Sequence, residues 1–116
     1  MGVNERFDLI KTDFIEKNEA NKMYAISFDL KVSALEQHYT GNSYNNAYGD
    51  IKKFLTTKGF KWQQGSVYFG DSKEIDMVKC VMAVNAISKE FPWFKECVTD
   101  IRMLRIEENN DLTPAL

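Results

Sequence analysis

Residues 59–70, which read GFKWQQGSVYFG, decide the fold of this chain. Aromatic and β-branched residues flank Gln64 and Gly65, and this arrangement is typical of a β-hairpin with a tight turn. We expect the two strands to run from Phe60 to Gln63 and from Ser66 to Gly70. The hairpin lies near the middle of the chain, so the segments on either side of it complete the architecture.

Strand-like segments precede and follow the hairpin. In residues 23–30, MYAISFDL, large apolar side chains alternate with small or polar ones, which indicates a strand with one face buried more deeply. Residues 100–107, DIRMLRIE, form the expected last strand. The chain therefore contains four predicted strands.

Two helices are expected between these strands. The first is capped by Ser43 and ends at Lys58-Gly59, with apolar residues at helical spacing: Tyr44, Ala47, Tyr48, Ile51 and Leu55. The second is capped by Asp71 or Ser72 and extends to Lys89, before Phe91-Pro92-Trp93-Phe94 stops it. We interpret it as a core helix, because apolar residues cover much of its circumference: Val78, Val81, Met82, Val84 and Ile87.

The order strand, helix, strand, strand, helix, strand predicts an α+β, ferredoxin-like fold, in which both helices cover one face of a four-stranded antiparallel sheet. Right-handed crossovers then place the first strand between the third and the fourth. The end of the first strand, at Asp29, meets the starts of its neighbours, at Ser66 and Asp100. Strand order and handedness thus predict a polar cluster at one rim of the sheet.

Composition limits the possible functions. The 116 residues fit one domain, and the net charge of −2 excludes a uniformly basic nucleic-acid coat, so that any RNA contact has to be local. The two cysteines, Cys80 and Cys97, lack the spacing of a metal or redox pair and are expected to be buried, reduced thiols. No apolar run approaches the roughly 20 residues that span a bilayer. We expect a cytoplasmic protein that makes no membrane contact.

Residues 1–22 form a separate N-terminal extension, ahead of a domain expected at residues 23–116. Its apolar residues recur at helical spacing, which predicts a short amphipathic helix: Phe7, Ile10, Phe14 and Ile15. Two interpretations remain open at this point. The segment is either a helix that packs on a partner, or a leader that precedes a domain beginning at Met23.

The clustered carboxylates of Asp29 and Asp100 suggest phosphodiester chemistry. Their repulsion is relieved when one of them keeps its proton or when both share a divalent cation such as magnesium. A carboxylate base could activate water or the 2′-hydroxyl of RNA, and Ser66 could orient a phosphate oxygen. The alternative is that both aspartates end their strands by bonding nearby backbone amides.

Basic residues in or near the same strands are candidates for holding an RNA backbone, with Tyr68 or Trp62 available for base stacking. They are Lys31, Lys61, Arg102 and Arg105. The alternative is a solvated sheet face that has no ligand. His38 has no placed partner and is not taken as a general acid.

The chain resembles the VapD family of bacterial virulence-associated proteins from Met23 to Leu116. The resemblance rests on MYAISFDL, YNNAY, FKWQQGSVYFGD, EFPWF and DIRMLRIEENNDLTP, and it implies a ferredoxin-like endoribonuclease that acts as a homodimer and is often encoded beside an antitoxin. It also implies that Asp29, Ser66 and Asp100 form the catalytic site, and that Leu35 shapes its pocket. Residues 1–22 have no counterpart in the family.

A second hypothesis belongs to another class of function. The chain would then be a noncatalytic protein-binding module that docks a partner on a sheet edge or on the N-terminal helix.

Overall fold

The structure, a computed structural model, describes residues 23–116. The proposed N-terminal helix and the boundary at residue 22 lie outside this part of the chain. The four strands are β1 (Met23–Leu30), β2 (Phe60–Gln64), β3 (Val67–Gly70) and β4 (Val98–Ile106). The helices are α1 (Val32–His38), α2 (Ala47–Thr57), α3 (Met77–Glu90) and α4 (Pro92–Cys97).

The four strands form one antiparallel sheet in the order β2-β3-β1-β4. This order confirms the predicted ferredoxin-like fold, with β1 between β3 and β4. The long register between β1 and β4 runs from Met23 opposite Ile106 to Leu30 opposite Val98. The pairing of β1 with β4 joins the first and last strands of the domain, and its register sets the positions of the polar residues at the rim.

The hydrophobic core lies between the sheet and its helices. On the sheet side Phe28 stacks on Tyr68 with ring centroids 6.0 Å apart, and Phe94 meets Phe28 edge-on at 5.7 Å. On the helix side the fully buried residues include Ile51, Leu55 and Ile87. Trp93 and Phe94 are also buried.

Both cysteines are free and buried, as expected from the sequence. Burial raises the pKa of the Cys80 thiol and of the Cys97 thiol, so both side chains stay protonated at neutral pH. They behave as small apolar groups of the core.

Several helix boundaries differ from the prediction. Ser43 caps a 3₁₀ turn over Tyr44–Asn46, and α2 follows directly from that turn. Two short helices, α1 and α4, occupy segments that were not predicted to be helical. Pro92 lies in the first turn of α4. Backbone N–H groups in that turn make no hydrogen bond within the helix, so the lack of an N–H in proline costs nothing there.

The prediction for α3 was wrong in two respects. The helix starts at Met77, because the Asp76 side chain accepts a hydrogen bond from the Lys79 N–H at 2.9 Å, and neither Asp71 nor Ser72 is its cap. It is also not a helix buried all round. Its inner face buries Cys80, Ala83 and Ile87, while Val78, Val81 and Met82 are more than 60% exposed. Nothing within residues 23–116 covers that outer face.

Within residues 23–116, no helix has both the length and the apolar character needed to cross a membrane.

Candidate active site

Asp29 and Asp100 lie directly opposite each other at one rim of the sheet. Antiparallel partners have Cα atoms about 4.5–5.5 Å apart and place their side chains on the same face. Phe28 and Leu30 point into the core, so Asp29 points to the face that carries no helix. Both carboxylates are exposed there, and the predicted pairing is confirmed.

The register between β1 and β4 shifts immediately beyond this pair. Asp29 pairs with Asp100 but Leu30 pairs with Val98, which leaves Thr99 as an extra residue on β4. The Thr99 hydroxyl donates to the Asp29 carbonyl oxygen at 3.4 Å, and the Lys31 N–H donates to the Cys97 carbonyl at 2.9 Å. Such an irregularity redirects side chains and is frequent beside active sites. No feature of the sequence pointed to Thr99.

Ser66 lies at the same rim, on the turn between β2 and β3. Its carbonyl oxygen accepts a hydrogen bond from the Phe28 N–H at 3.2 Å, which ties the turn to the end of β1. Gly65 makes the turn possible by adopting φ +49°, a conformation that other residues rarely take. The structure thus brings Ser66 beside β1 next to Asp29, as the topology predicted.

Arg102 contributes positive charge to the rim. Its Nε lies 3.1 Å from one Asp100 carboxylate oxygen and 3.3 Å from the other. Arg102 pairs with Ser27 across the strands, which places it on the same open face as Asp29. The rim therefore combines two carboxylates and a guanidinium group on the open face, with the backbone of Ser66 beside them.

The oxygen ligands at the rim suit a magnesium ion. Mg²⁺ is commonly held by one or two carboxylates, with water and substrate phosphate completing its coordination. Asp29 and Asp100 meet that requirement, and both are exposed to solvent. In residues 23–116, no group of three or more His, Cys, Asp or Glu side chains could hold a metal. A magnesium ion would depend on phosphate and water for its remaining ligands.

The other basic residues lie in different places. Lys61 is level with Phe69 and Ala25, on the open face, and Lys31 is exposed just beyond β1. Arg105 pairs with Tyr24 on the helix-covered side, and its Nε lies 3.0 Å from a Glu107 oxygen. Arg105 therefore does not share the face of Asp29, whereas Lys61 does.

Two of the predicted site residues are buried. Tyr68 is 1% exposed, and its ring stacks on Phe28 in the core, so it presents no surface to a nucleobase. The prediction that Tyr68 binds RNA was wrong, because the side chain points to the helices. Leu35 is also 1% exposed and belongs to the core beneath α1. Its part in shaping a pocket stays a prediction.

A concave surface lies between α3 and β4. It encloses about 180 Å³ and is lined mainly by apolar side chains, among them Ile26, Val81, Val84 and Met103. Arg102 also lines it, but Asp29, Ser66 and Asp100 do not.

Comparisons with known proteins agree with this architecture. Residues 22–113 match the family model of CRISPR associated protein Cas2. The chain is similar to Endoribonuclease VapD 2 of Riemerella anatipestifer, with 54% identity over 94 residues that cover 81% of this chain and 99% of that protein.

More distant relatives have the same coverage pattern. An Endoribonuclease VapD homolog of Helicobacter pylori is 52% identical over 94 residues, which are 81% of this chain and 96% of its own. Endoribonuclease VapD of Dichelobacter nodosus is 44% identical over 91 residues, 78% of this chain and 94% of its own. The pairing at the rim, the strand order and these matches together place the chain in the VapD group of the Cas2 family.

Proposed function

We propose that this protein is an endoribonuclease that cleaves RNA phosphodiester bonds at the rim formed by Asp29, Ser66 and Asp100. The observation that carries the proposal is the direct cross-strand pairing of the two exposed aspartates. The names of the VapD relatives, which describe endoribonucleases, support it.

The residues of the rim supply the parts that such a reaction needs. A carboxylate of the aspartate pair accepts the proton of the attacking group, which is water or the neighbouring 2′-hydroxyl of RNA. The attacking oxygen bonds to phosphorus while the bond from phosphorus to the leaving ribose oxygen breaks, and the protonated carboxyl then gives its proton to that leaving oxygen. The Ser66 hydroxyl donates a hydrogen bond to a phosphate oxygen. The Arg102 guanidinium balances the negative charge that develops on the phosphate. A magnesium ion held by Asp29 and Asp100 would polarise the scissile phosphate when bound.

The decisive experiment is cleavage of a defined, end-labelled RNA by the purified protein, with magnesium and with chelator. We expect Asp29→Asn and Asp100→Asn each to lower the rate by about 10²- to 10⁴-fold, the usual range for general acid–base catalysis. Glu74→Gln is the matched control, because Glu74 is exposed and lies beyond β3, at the opposite end of the sheet from the rim. Equal cutting by wild type and both aspartate variants would refute the assignment.

We propose that the protein acts as a homodimer. Within residues 23–116, β4 is paired on one side only, and unpaired strand edges favour association with a second copy. The exposed apolar side chains of α3 stand beside that edge, in the groove shared with Met103. A two-fold axis perpendicular to the sheet, beside β4, would pair the two β4 strands antiparallel, join the two sheets and bring the two α3 helices to the same side.

We further propose that the protein is a toxin neutralised by an antitoxin protein, as the VapD resemblance implies. The test is growth of a host that expresses the wild type or the Asp29→Asn variant from an inducible promoter. Growth arrest by the wild type alone, relieved by coexpression of the gene next to this one, is the expected result. Equal growth of both strains would contradict the toxin proposal.

The second candidate function, a noncatalytic protein-binding module, is favoured by one observation. Val78, Val81 and Met82 present an apolar surface on α3 that does not belong to the rim. If purified protein cuts no RNA under any metal condition and still binds a protein partner through α3, this second candidate replaces the nuclease.

A further inference from the structure

We infer that Trp62, flanked by Lys52, is a stacking subsite for one nucleobase of a single-stranded RNA. The inference rests on the proposed function, because it describes where RNA lies beyond the bond that is cut. It concerns an edge of the molecule outside the catalytic rim.

The Trp62 ring is both exposed and held in place. Trp62 lies on the edge strand β2 and is 42% exposed. Its indole Nε1 donates a hydrogen bond to the Gly65 carbonyl at 2.8 Å. Since Gly65 precedes Ser66, this bond fixes the ring against the same turn that carries the predicted catalytic hydroxyl. Trp62 pairs with Tyr68, so its ring lies on the helix side of the sheet, at the end of the hairpin that reaches the rim.

One lysine lies against the ring, and the surrounding sequence is basic. The Lys52 Nζ lies 4.3 Å from the centre of the Trp62 ring, a cation–π distance. Residues 51–70 contain four lysines and no carboxylate, although the whole chain has a net charge of −2. The lysines are Lys52, Lys53, Lys58 and Lys61. The segment that forms α2 and β2 is thus locally basic, although the whole protein is acidic. Local positive charge of this kind favours binding of a nucleic-acid phosphate backbone.

The chemistry of the edge identifies the class of ligand. An aromatic ring stacks on the flat face of any base, and a lysine beside it attracts any phosphate. Neither contact depends on the hydrogen-bonding groups that distinguish one base from another. In duplex RNA the bases are already stacked on each other, so they are not free to stack on a side chain. The expected ligand is a single strand, bound with little preference for the base at this position.

Intrinsic fluorescence tests the inference directly, because the two tryptophans of the chain differ in exposure. Trp93 is 4% exposed in the core, so a change in emission on RNA binding reports on Trp62. The titration uses the Asp29→Asn variant, which keeps the RNA intact, and a short single-stranded oligouridylate. Quenching by the single strand and none by a duplex of equal length is the expected result. Loss of quenching in the added Trp62→Phe variant would assign the signal to Trp62.

Affinity measurements separate stacking from simple stabilisation of the hairpin. We expect Trp62→Ala to weaken RNA binding by about 5- to 100-fold, as base–aromatic stacking does elsewhere. Trp62→Phe keeps an aromatic face, so it should stay within about threefold of the parent by the same reasoning. Lys52→Gln should weaken binding and flatten its salt dependence, whereas Lys89→Gln, an exposed lysine at the end of α3, should do neither. Thermal unfolding of each variant identifies any that is merely unstable.

The outcomes for the subsite and for the nuclease are distinguishable. Unquenched Trp62 emission, or equal affinity of Trp62→Ala, in a protein that still cuts RNA overturns the subsite and leaves the proposed function intact. Quenching by RNA in a wild-type protein that cuts nothing supports the subsite and rejects the nuclease.

Discussion

At the scale of the residue, the paired aspartates are a local disadvantage for folding. Like charges directly opposite each other on a sheet are destabilising. Arg102 offsets this repulsion through its contact with Asp100, but the two side chains are 70% and 48% exposed, so solvent screens the pair. An arrangement that contributes so little to stability is what the proposed catalytic role of the two aspartates would lead us to expect.

Tyr68 makes a prediction about alkaline stability. Burial raises the pKa of its hydroxyl from 10.0 to about 12. The folded state therefore holds this proton more tightly than the unfolded state, and the resulting stability is complete below pH 10 and lost as the pH rises through 12. Tyr68→Phe has no proton to lose, so its stability should fall less than that of the wild type over this interval.

Thermal unfolding at pH 8 and at pH 11 measures the difference. Tyr48→Phe is the control, because the Tyr48 ring is 38% exposed. If wild type and Tyr68→Phe lose the same stability between the two pH values, the buried hydroxyl does not contribute to the alkaline transition.

At the scale of the element, the sheet is irregular at the end where the site lies. One register shift leaves Thr99 unpaired on β4, and a second leaves Gln63 unpaired on β2. The first adjoins the aspartate pair and the second precedes the turn that carries Ser66. Irregularities of this kind bend a strand and redirect its side chains, and both of them lie next to the rim.

The cap of α3 gives a prediction for a single element. Asp76→Ala removes the acceptor of the Lys79 N–H and should lower the free energy of unfolding by about 0.5–2 kcal/mol, the usual effect of losing such a cap. Asp71→Ala is the matched control, since Asp71 was one of the two caps expected from the sequence and lies outside the helix.

Urea unfolding followed by circular dichroism measures both variants. A larger loss of stability in Asp71→Ala than in Asp76→Ala would show that the helix starts where the sequence pattern placed it.

At the scale of the whole molecule, self-association is the main prediction. Val81→Glu places a charge in the middle of the exposed apolar face of α3, where Val81 is 64% exposed. Burying that charge in a two-fold interface is unfavourable, so the variant should dissociate at least tenfold more readily than the wild type, about 1.4 kcal/mol. Sedimentation equilibrium at several protein concentrations measures the change.

The control for this experiment is Gln37→Glu, which adds the same charge at an exposed position on α1. A wild type that sediments as a monomer at micromolar concentration would contradict the homodimer. Equal association of wild type and Val81→Glu would instead show that the dimer forms elsewhere on the molecule.

Much of the fold follows from local patterns in the sequence. Alternation in residues 23–30 and the Gln64-Gly65 turn specify strands, and the observed strands begin and end within a few residues of those predicted. The handedness of the crossovers then orders the strands, which is why Asp29 could be placed opposite Asp100 before any coordinates. The short helices α1 and α4 escaped prediction, because a helix of six or seven residues carries too few turns to show a period.

By itself, then, the sequence determined the order of the strands and the three residues that meet at the rim, since both follow from side-chain periodicity and chain direction. Only the tertiary structure decided which side chains are accessible. It buried Tyr68 and exposed Trp62, although both are aromatic residues of one hairpin, and it left Val81 in solvent on a helix whose pattern indicated burial. The physical reason is that the exposure of a side chain depends on which distant element packs over it. The local sequence pattern around a residue does not show which element that is.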